Sequence, residues 1–550
     1  MVFVSVKLNA QNLESIGKEK PVKLNGSFSA TSLLYGVKGI PSRRPPLSYF
    51  LNGNATLSIY GLSIPFSISY SNQQTNFRQP FNQYGVSPTY RWLTLHAGYR
   101  SMNFSSYTLA GHTFLGGGVE IQLPVFHIAA MYGRLNKALP FDSTLQAPTY
   151  ERFGYGIKAG IGKEADYLDI ILFSAKDNEK SIPFVSNPLF SPQENLVVGF
   201  NAGKKISNRF LFSMEYAHSG ITRNILAAEN KESSTQVLSK INPLFHANSS
   251  SAYRHAVKGN LSYAGKDFTL QAGYERIDPG YQTLGAYFFN DDLENFTLAA
   301  QSQLWKNKIT LAIQTGIQRN NLTNEKANTT SRWVNSGSIS YIPSPHWSLQ
   351  GSYSNFNGNS RRATRLDVLQ TPADTMLFIY TQVNQNAQAM VAYQINTKEH
   401  RYGISMNINY QVAHDRQGNS VTSNRSNVYG AYLSGNYRLG TGPTFTLTLN
   451  ANQNEMQEIK TLFTGPSISI SQDWLNHQLR TTASLVYNTL ITNGVSSGNT
   501  ITSRLGGNYS ITKSHSFNIN MIILRRQAAE NTINRSFTEI TLTAGYGYTF

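Results

Sequence analysis

The sequence predicts an all-β chain: a transmembrane up-and-down antiparallel β-barrel of about 22–26 strands, with short periplasmic turns and long extracellular loops. Three observations lead there. Strand-like segments alternate apolar and polar residues with a period of two, and no helical period competes over a comparable length. The polar faces carry Asn, Gln, Thr and Gly in place of the Lys and Glu of a solvated sheet, and short turns alternate with long polar loops. Composition agrees: of 550 residues only 14% are charged and 12% are aromatic, with 31 Tyr, and the mean hydropathy is −0.32. No run is long and apolar enough for a helical membrane span. Cysteine is absent, which is compatible with an oxidising compartment and decides little.

Taken in order, Met1–Ala10 reads as the tail of a secretory signal, apolar and ending on a small residue before Gln11, with Lys7 interrupting it and no basic start. Residues 11–550 are expected to form one barrel without a separate domain. Strand-like sequence starts soon after that point. Neither the plug domain of a TonB-dependent transporter nor a periplasmic repeat array is therefore expected ahead of it, and no soluble passenger either.

From about Pro21 the chain repeats strand, short turn, strand, longer loop. The clearest strands are Tyr402, Ile404, Met406, Ile408, Tyr410 and Val412 alternating with small or polar residues, then Phe445, Leu447, Leu449 and Ala451, and then Ile309, Leu311, Ile313 and Ile317. Short turns fall at Lys204–Asn208, Gly265–Asp267, Trp305–Lys308, Ile342–Pro345 and Thr512–His515; long loops lie near 177–194, 220–250, 278–292, 358–373 and 414–424. From about residue 124 onward this alternation is expected to run without error. The turn at Tyr60-Gly61 is out of phase with it, so a strand is missing between 62 and 112, placed within Phe104–Ala110. Adding it to 25 visible segments gives 26, an even number with both termini periplasmic. A soluble sandwich, propeller or solenoid is the competing reading, and it explains neither the loop asymmetry nor the polar faces.

The chain ends Thr543-Ala-Gly545-Tyr-Gly-Tyr548-Thr-Phe550. A polar residue, a glycine, an aromatic and a terminal Phe at this spacing resemble the C-terminal assembly signal of Gram-negative outer-membrane barrels. In general style the chain resembles the large Tyr- and Asn-rich barrels of Bacteroidota outer membranes. That resemblance covers nearly all of the chain, rests on architecture and on Thr543, Gly545, Tyr548 and Phe550, and has no family-specific motif behind it. It implies outer-membrane lipids and the barrel-assembly machinery as partners and transfers no site residues.

No motif for catalysis, metal or cofactor emerges. The glycines at Gly116–Gly118 and Gly154–Gly160 alternate within strands, which fits small lumen-facing positions better than a nucleotide loop. The 11 His are scattered, with His96, His112, His127, His218 and His255 sitting singly, and the rim carboxylates Asp291, Asp292 and Glu294 have no nearby His. An enzyme is therefore not expected, nor a nucleic-acid partner despite the +17 balance. Alternation puts Arg152, Lys158, Arg254, Lys258, Arg332, Arg438, Arg480 and Arg504 inside, against Asp169, Glu215 and Glu275. A net basic lumen would favour anions; pairing with in-folded loop carboxylates is the plainer account. Lysines at the short turns (Lys163, Lys204, Lys205, Lys266, Lys306, Lys308, Lys398, Lys513) would lie near lipid phosphates, or simply follow turn preference.

A barrel this wide needs a filling. The candidate fillings are loops 72–89, 138–150, 220–250 and 358–373, or a partner. Two functions follow: a channel or transporter narrowed by loops, or a non-conducting barrel subunit of a larger secretion, assembly or surface-display complex, plugged by loops or a lipoprotein. Most strand aromatics face lipid, which speaks against a sugar pore, and Phe77, Phe81 and Tyr84 are candidate docking or plug aromatics.

Overall fold

An antiparallel sheet with one apolar and one polar face leaves two unpaired edges, and in a bilayer those edges have no water to bond. This chain removes them by closure. The computed structural model describes residues 22–72, 82–140, 148–183, 190–229, 244–287, 290–324, 331–355, 381–397, 399–415, 425–456, 458–529 and 535–550, and contains no helix among them. The expected signal tail lies outside these residues.

The strands are β1 (Val22–Lys38), β2 (Leu47–Ile59), β3 (Leu62–Ser71), β4 (Gln83–Val86), β5 (Thr89–Tyr90), β6 (Leu93–Asn103), β7 (Ala110–Gln122), β8 (Phe126–Asn136) and β9 (Glu151–Lys163). They continue with β10 (Asp166–Asn178), β11 (Glu194–Lys205), β12 (Phe210–Thr222), β13 (Ser251–Ala264), β14 (Phe268–Ile277), β15 (Leu293–Leu304), β16 (Ile309–Arg319), β17 (Ser331–Ser344) and β18 (Trp347–Ser354). The last third holds β19 (Thr381–Asn396), β20 (His400–Asp415), β21 (Arg425–Leu439), β22 (Thr444–Met456), β23 (Ile459–Trp474), β24 (Leu479–Thr492), β25 (Val495–Ser510), β26 (His515–Ala528) and β27 (Phe537–Thr549). Each pairs with its sequence neighbours, and β27 pairs with β1 over twelve residue pairs from Ser27↔Thr549 to Lys38↔Thr538. The terminal Phe550 completes the seam, giving its N–H to Gly26 O and accepting from Gly26 N at 3.0 and 2.9 Å.

Counting staves gives 26, because β4 and β5 are halves of one broken strand between β3 and β6. The expected number is right and the expected place is wrong. Phe104–Leu109 forms no strand; the missed one is Gln83–Tyr90. Its alternation is hidden by a break at Ser87-Pro88, opposite Pro65 on β3. Neither proline can donate to the ladder. Ser87 N still reaches Pro65 O at 3.0 Å, so the stave continues across the gap. Tyr84, expected in a loop, is therefore a strand residue facing outward beside Tyr99; Phe77 and Phe81 lie outside the described residues.

The short turns occupy one end of the barrel, as expected, together with both ends of the described chain. The other end is less uniform than expected. There β22 and β23 meet at Met456↔Ile459, and β24 and β25 at Thr492↔Val495, through two-residue turns. Asn493 (φ 50°) and Gly494 (φ 82°) form the second, an Asn-Gly hairpin signal plain in the sequence.

The outer face carries the expected apolar residues: Ile404, Met406 and Ile408 on β20, then Leu433, Leu447, Ile468 and Leu485 across the next four strands, all exposed. Aromatics gather outside at the short-turn end, where Phe210 and Tyr263 (4.8 Å between rings), Trp347 and Tyr393 (4.8 Å) and Phe517 and Tyr546 (4.9 Å) pack across strands. Such a belt suits the headgroup boundary of a bilayer. At the other end the segment before β13 folds back on the outside. Phe245 there is 1% exposed and packs with Leu196, Leu172, Val198 and Tyr253.

Candidate functional site in the barrel lumen

The lumen has two unlike sides. From β15 to β26 the inward positions are mostly small and polar: Gln301, Gln314, Ser338, Gln388, Asn407, Asn450, Ser469 and Asn508 among them. From β7 to β14 a block of them is apolar. Phe114, Met131, Ile171, Phe173, Val197, Ala217 and Ala256 form one buried cluster with Phe104, Tyr107, Leu109, Tyr281 and Leu284, which belong to connections. Two connections, 104–109 and 278–287, thus fold into the barrel and pack against that wall. Neither was among the expected fillings. Of those, 358–373 lies outside the described residues and the other three are described in part. Apolar inward residues in this sector break the expected Asn, Thr, Gln and basic lining, because a dry loop covers them.

Glycine makes the room. A Cβ on Gly156 would stand 2.8 Å from the Phe104 ring and 3.3 Å from Phe173. Gly156 therefore serves close approach of a loop to the wall.

Polar latches fix the loops. Tyr107 is 2% exposed; its N–H donates to Glu215 Oε1 at 2.9 Å and its hydroxyl to Glu275 Oε1 at 2.6 Å. Burial, then the Glu275 charge, raises the Tyr107 phenol, so it remains a donor at any ordinary pH. Tyr281 Oη donates to Tyr107 O at 2.6 Å and Thr283 Oγ1 to Thr108 O at 2.8 Å, tying the second loop onto the first. Leu284 N donates to Asn195 Oδ1 at 3.0 Å, and Ala110 N to Gly285 O at 3.0 Å.

Strand register aligns the acids expected inside. Gly160, Asp169, Asn201, Glu215, Lys258, Glu275, Asn295, Gln318 and Arg332 are successive partners on β9 to β17, one inclined row around the wall. Lys258 thus stands between Glu215 and Glu275. Arg332 holds the last place in the row.

The other expected basic residues each have their own setting. Arg152 is held by Asp177 at 2.7 and 2.9 Å. Arg438 and Arg480 share Asp473, at 3.7 and 4.0 Å, near the short-turn mouth. Arg254 donates to Pro279 O at 2.7 Å. Lys158 lies 6.0 Å over the Phe104 ring, and Arg504 stands opposite Ser484 on the wall. The carboxylates that hold Arg152, Arg438 and Arg480 come from strands, where the plainer account had placed them on loops.

Several histidines are not single. His218 and His255 oppose each other on the outer face with ring centroids 4.2 Å apart, and His127 meets Asp169 at 2.6 Å. Cross-strand register makes these pairs, and sequence spacing does not carry it. Asp292 accepts from Leu322 N at 2.9 Å, and Asp291 accepts from Gly280 N. Glu294 joins Arg276 and Arg319. These rim carboxylates tie loops and strand ends together.

A closed, even-numbered antiparallel barrel with an apolar outer face and an aromatic belt is an integral outer-membrane protein of the Gram-negative kind. No protein-family model matches the chain, and no curated protein matches it in sequence. Among solved structures it is similar to the FrpB iron transporter from Neisseria meningitidis (F3-3 variant), with TM-score 0.38 and 12% identity over 98% of this chain and 82% of that one. The F5-1 variant gives TM-score 0.37 and 11% identity over 96% and 82%. Pseudomonas aeruginosa OpdK with vanillate gives TM-score 0.30 and 12% identity over 66% of this chain and 93% of that one. Likenesses at these scores carry no argument about what the chain does.

Proposed function

We propose that this barrel is an outer-membrane channel or transport protein whose lumen is narrowed from one side by its own connections and is net basic along the remaining path. One observation carries the reading: connections 104–109 and 278–287 are latched onto the apolar block of the wall from β7 to β14, while the wall from β15 to β26 keeps a small, polar, water-compatible lining. A barrel subunit plugged by a partner would have little use for such a one-sided device. Positive charge enters through Arg438 and Arg480, which share one carboxylate, and through Arg504. These charges favour passage of small anions. The short-turn end faces the periplasm in this reading, and the C-terminal strand, closing on β1 through Phe550, presents the assembly signal.

Single-channel recording in a planar bilayer with asymmetric salt tests it. Stable openings with an anion-selective reversal potential are expected, shifting toward cations when Arg480 and Arg504 are both changed to Gln. A silent barrel refutes the channel and favours the plugged subunit of a larger complex.

A further inference from the structure

Beside the broken stave lies a hollow of about 430 Å³ lined by Ser67, Ser69, Gln83, Ser87, His96 and Arg100 among others. No lining residue is acidic. The segment 72–82 that joins β3 to β4 contains no Asp or Glu either.

Arg100 occupies an inward position on β6, opposite Phe114. Its guanidinium lies over Gly85, where a Cβ would come within 3.0 Å of Cζ and Nε. One donor, Nη1, reaches Ser67 Oγ at 2.7 Å. Nε is buried without an acceptor. This differs from Arg152, Arg438 and Arg480, each of which meets a carboxylate. Arg100 meets none among the described residues. The nearby carboxylate of Glu120 faces His96, with Oε1 3.6 Å from Nε2, while His96 Nδ1 contacts Ser87 Oγ at 2.9 Å.

We propose that Arg100 anchors a binding subsite for an oxyanion, a carboxylate or a phosphate, on the lumen wall beside the broken stave. A held guanidinium with spare donors and no counter-charge presents a planar fork matched to two oxygens of such a group. The hollow admits a small solute. Gly85 keeps the fork flat against the wall. The subsite deepens the channel reading by naming an anion class, and it depends on that reading only for access from solution.

Isothermal titration of the detergent-solubilised barrel with inorganic phosphate, and separately with benzoate, tests it. Saturable binding of at least one is expected, and which one binds distinguishes phosphate from carboxylate. Arg100→Gln should weaken that binding at least tenfold, and Arg209→Gln, in the short turn between β11 and β12, should leave it unchanged. If Arg100→Gln fails to fold, Arg100→Lys takes its place: it keeps the charge, loses the fork, and should also bind at least tenfold more weakly. No saturable binding of either anion overturns the proposal, as does equal binding by the folded Arg100 variant. Binding is read at equilibrium, so a barrel silent in the bilayer but binding at Arg100 refutes the channel and leaves the subsite standing.

Discussion

Removing the Tyr107 hydroxyl should loosen the in-folded loops without dismantling the barrel. The ring is buried against the wall, and its hydroxyl makes a 2.6 Å bond to Glu275. Tyr107→Phe keeps the packing and deletes that bond. A hydrogen bond to a charged acceptor contributes roughly 1.5–3 kcal/mol, so the equilibrium for loop release shifts roughly ten- to a hundredfold. Tyr107→Ala also removes the ring, at a cost of about 3–5 kcal/mol for a buried aromatic, and should release both loops, since Tyr281 and Thr283 bond to the backbone of residues 107 and 108. Single-channel recording reads this as more frequent transitions to a larger conductance in Tyr107→Phe and a persistently larger conductance in Tyr107→Ala. The barrel ladder is untouched, so heat-modifiable electrophoretic mobility should remain that of the folded protein. The reasoning is refuted if Tyr107→Ala folds and its conductance and current noise match the parent.

Further expectations concern separate parts of the wall. Asp473→Asn leaves Arg438 and Arg480 without their shared carboxylate and should move the reversal potential further toward anions; no shift would mean that the short-turn mouth does not sense permeating ions. Arg152→Ala strands the buried Asp177 carboxylate, at about 3–5 kcal/mol, and a lower midpoint in denaturant unfolding checks it. Phe245→Ala should destabilise by about 3–5 kcal/mol as a fully buried aromatic, and should expose the segment before β13 to protease on intact cells. Gly494→Val should cost about 1–2 kcal/mol from the left-handed backbone alone, because nothing lies within 4 Å of a Cβ there; a larger loss of stability would show that the hairpin contacts something else.

Much of the fold was legible in local residues. Alternation such as Tyr402 to Val412 defines both faces of β20, because side chains of a strand alternate with a period of two. Parity of the turns even required the twenty-sixth stave. Its place was not legible, since a strand interrupted at Ser87-Pro88 shows too little alternation, and Phe104–Leu109, with its Phe, Tyr and Leu, imitates one. The two-residue turn at Asn493-Gly494 carries a local signal that departs from the alternation of long and short connections. Nothing in the neighbours of Arg100 along the chain distinguishes it from the other arginines.

The sequence by itself determined an up-and-down barrel with an apolar exterior, because each strand's pattern is a local property set by the pleat. Only the tertiary structure decided what the lumen is. Which arginines meet a carboxylate, that Lys258 lies between Glu215 and Glu275, and that two connections turn inward all depend on register and closure. Those bring together residues as far apart as Tyr107 and Glu275. Side chains that distant in sequence become neighbours only once the sheet has curved round and joined β27 to β1.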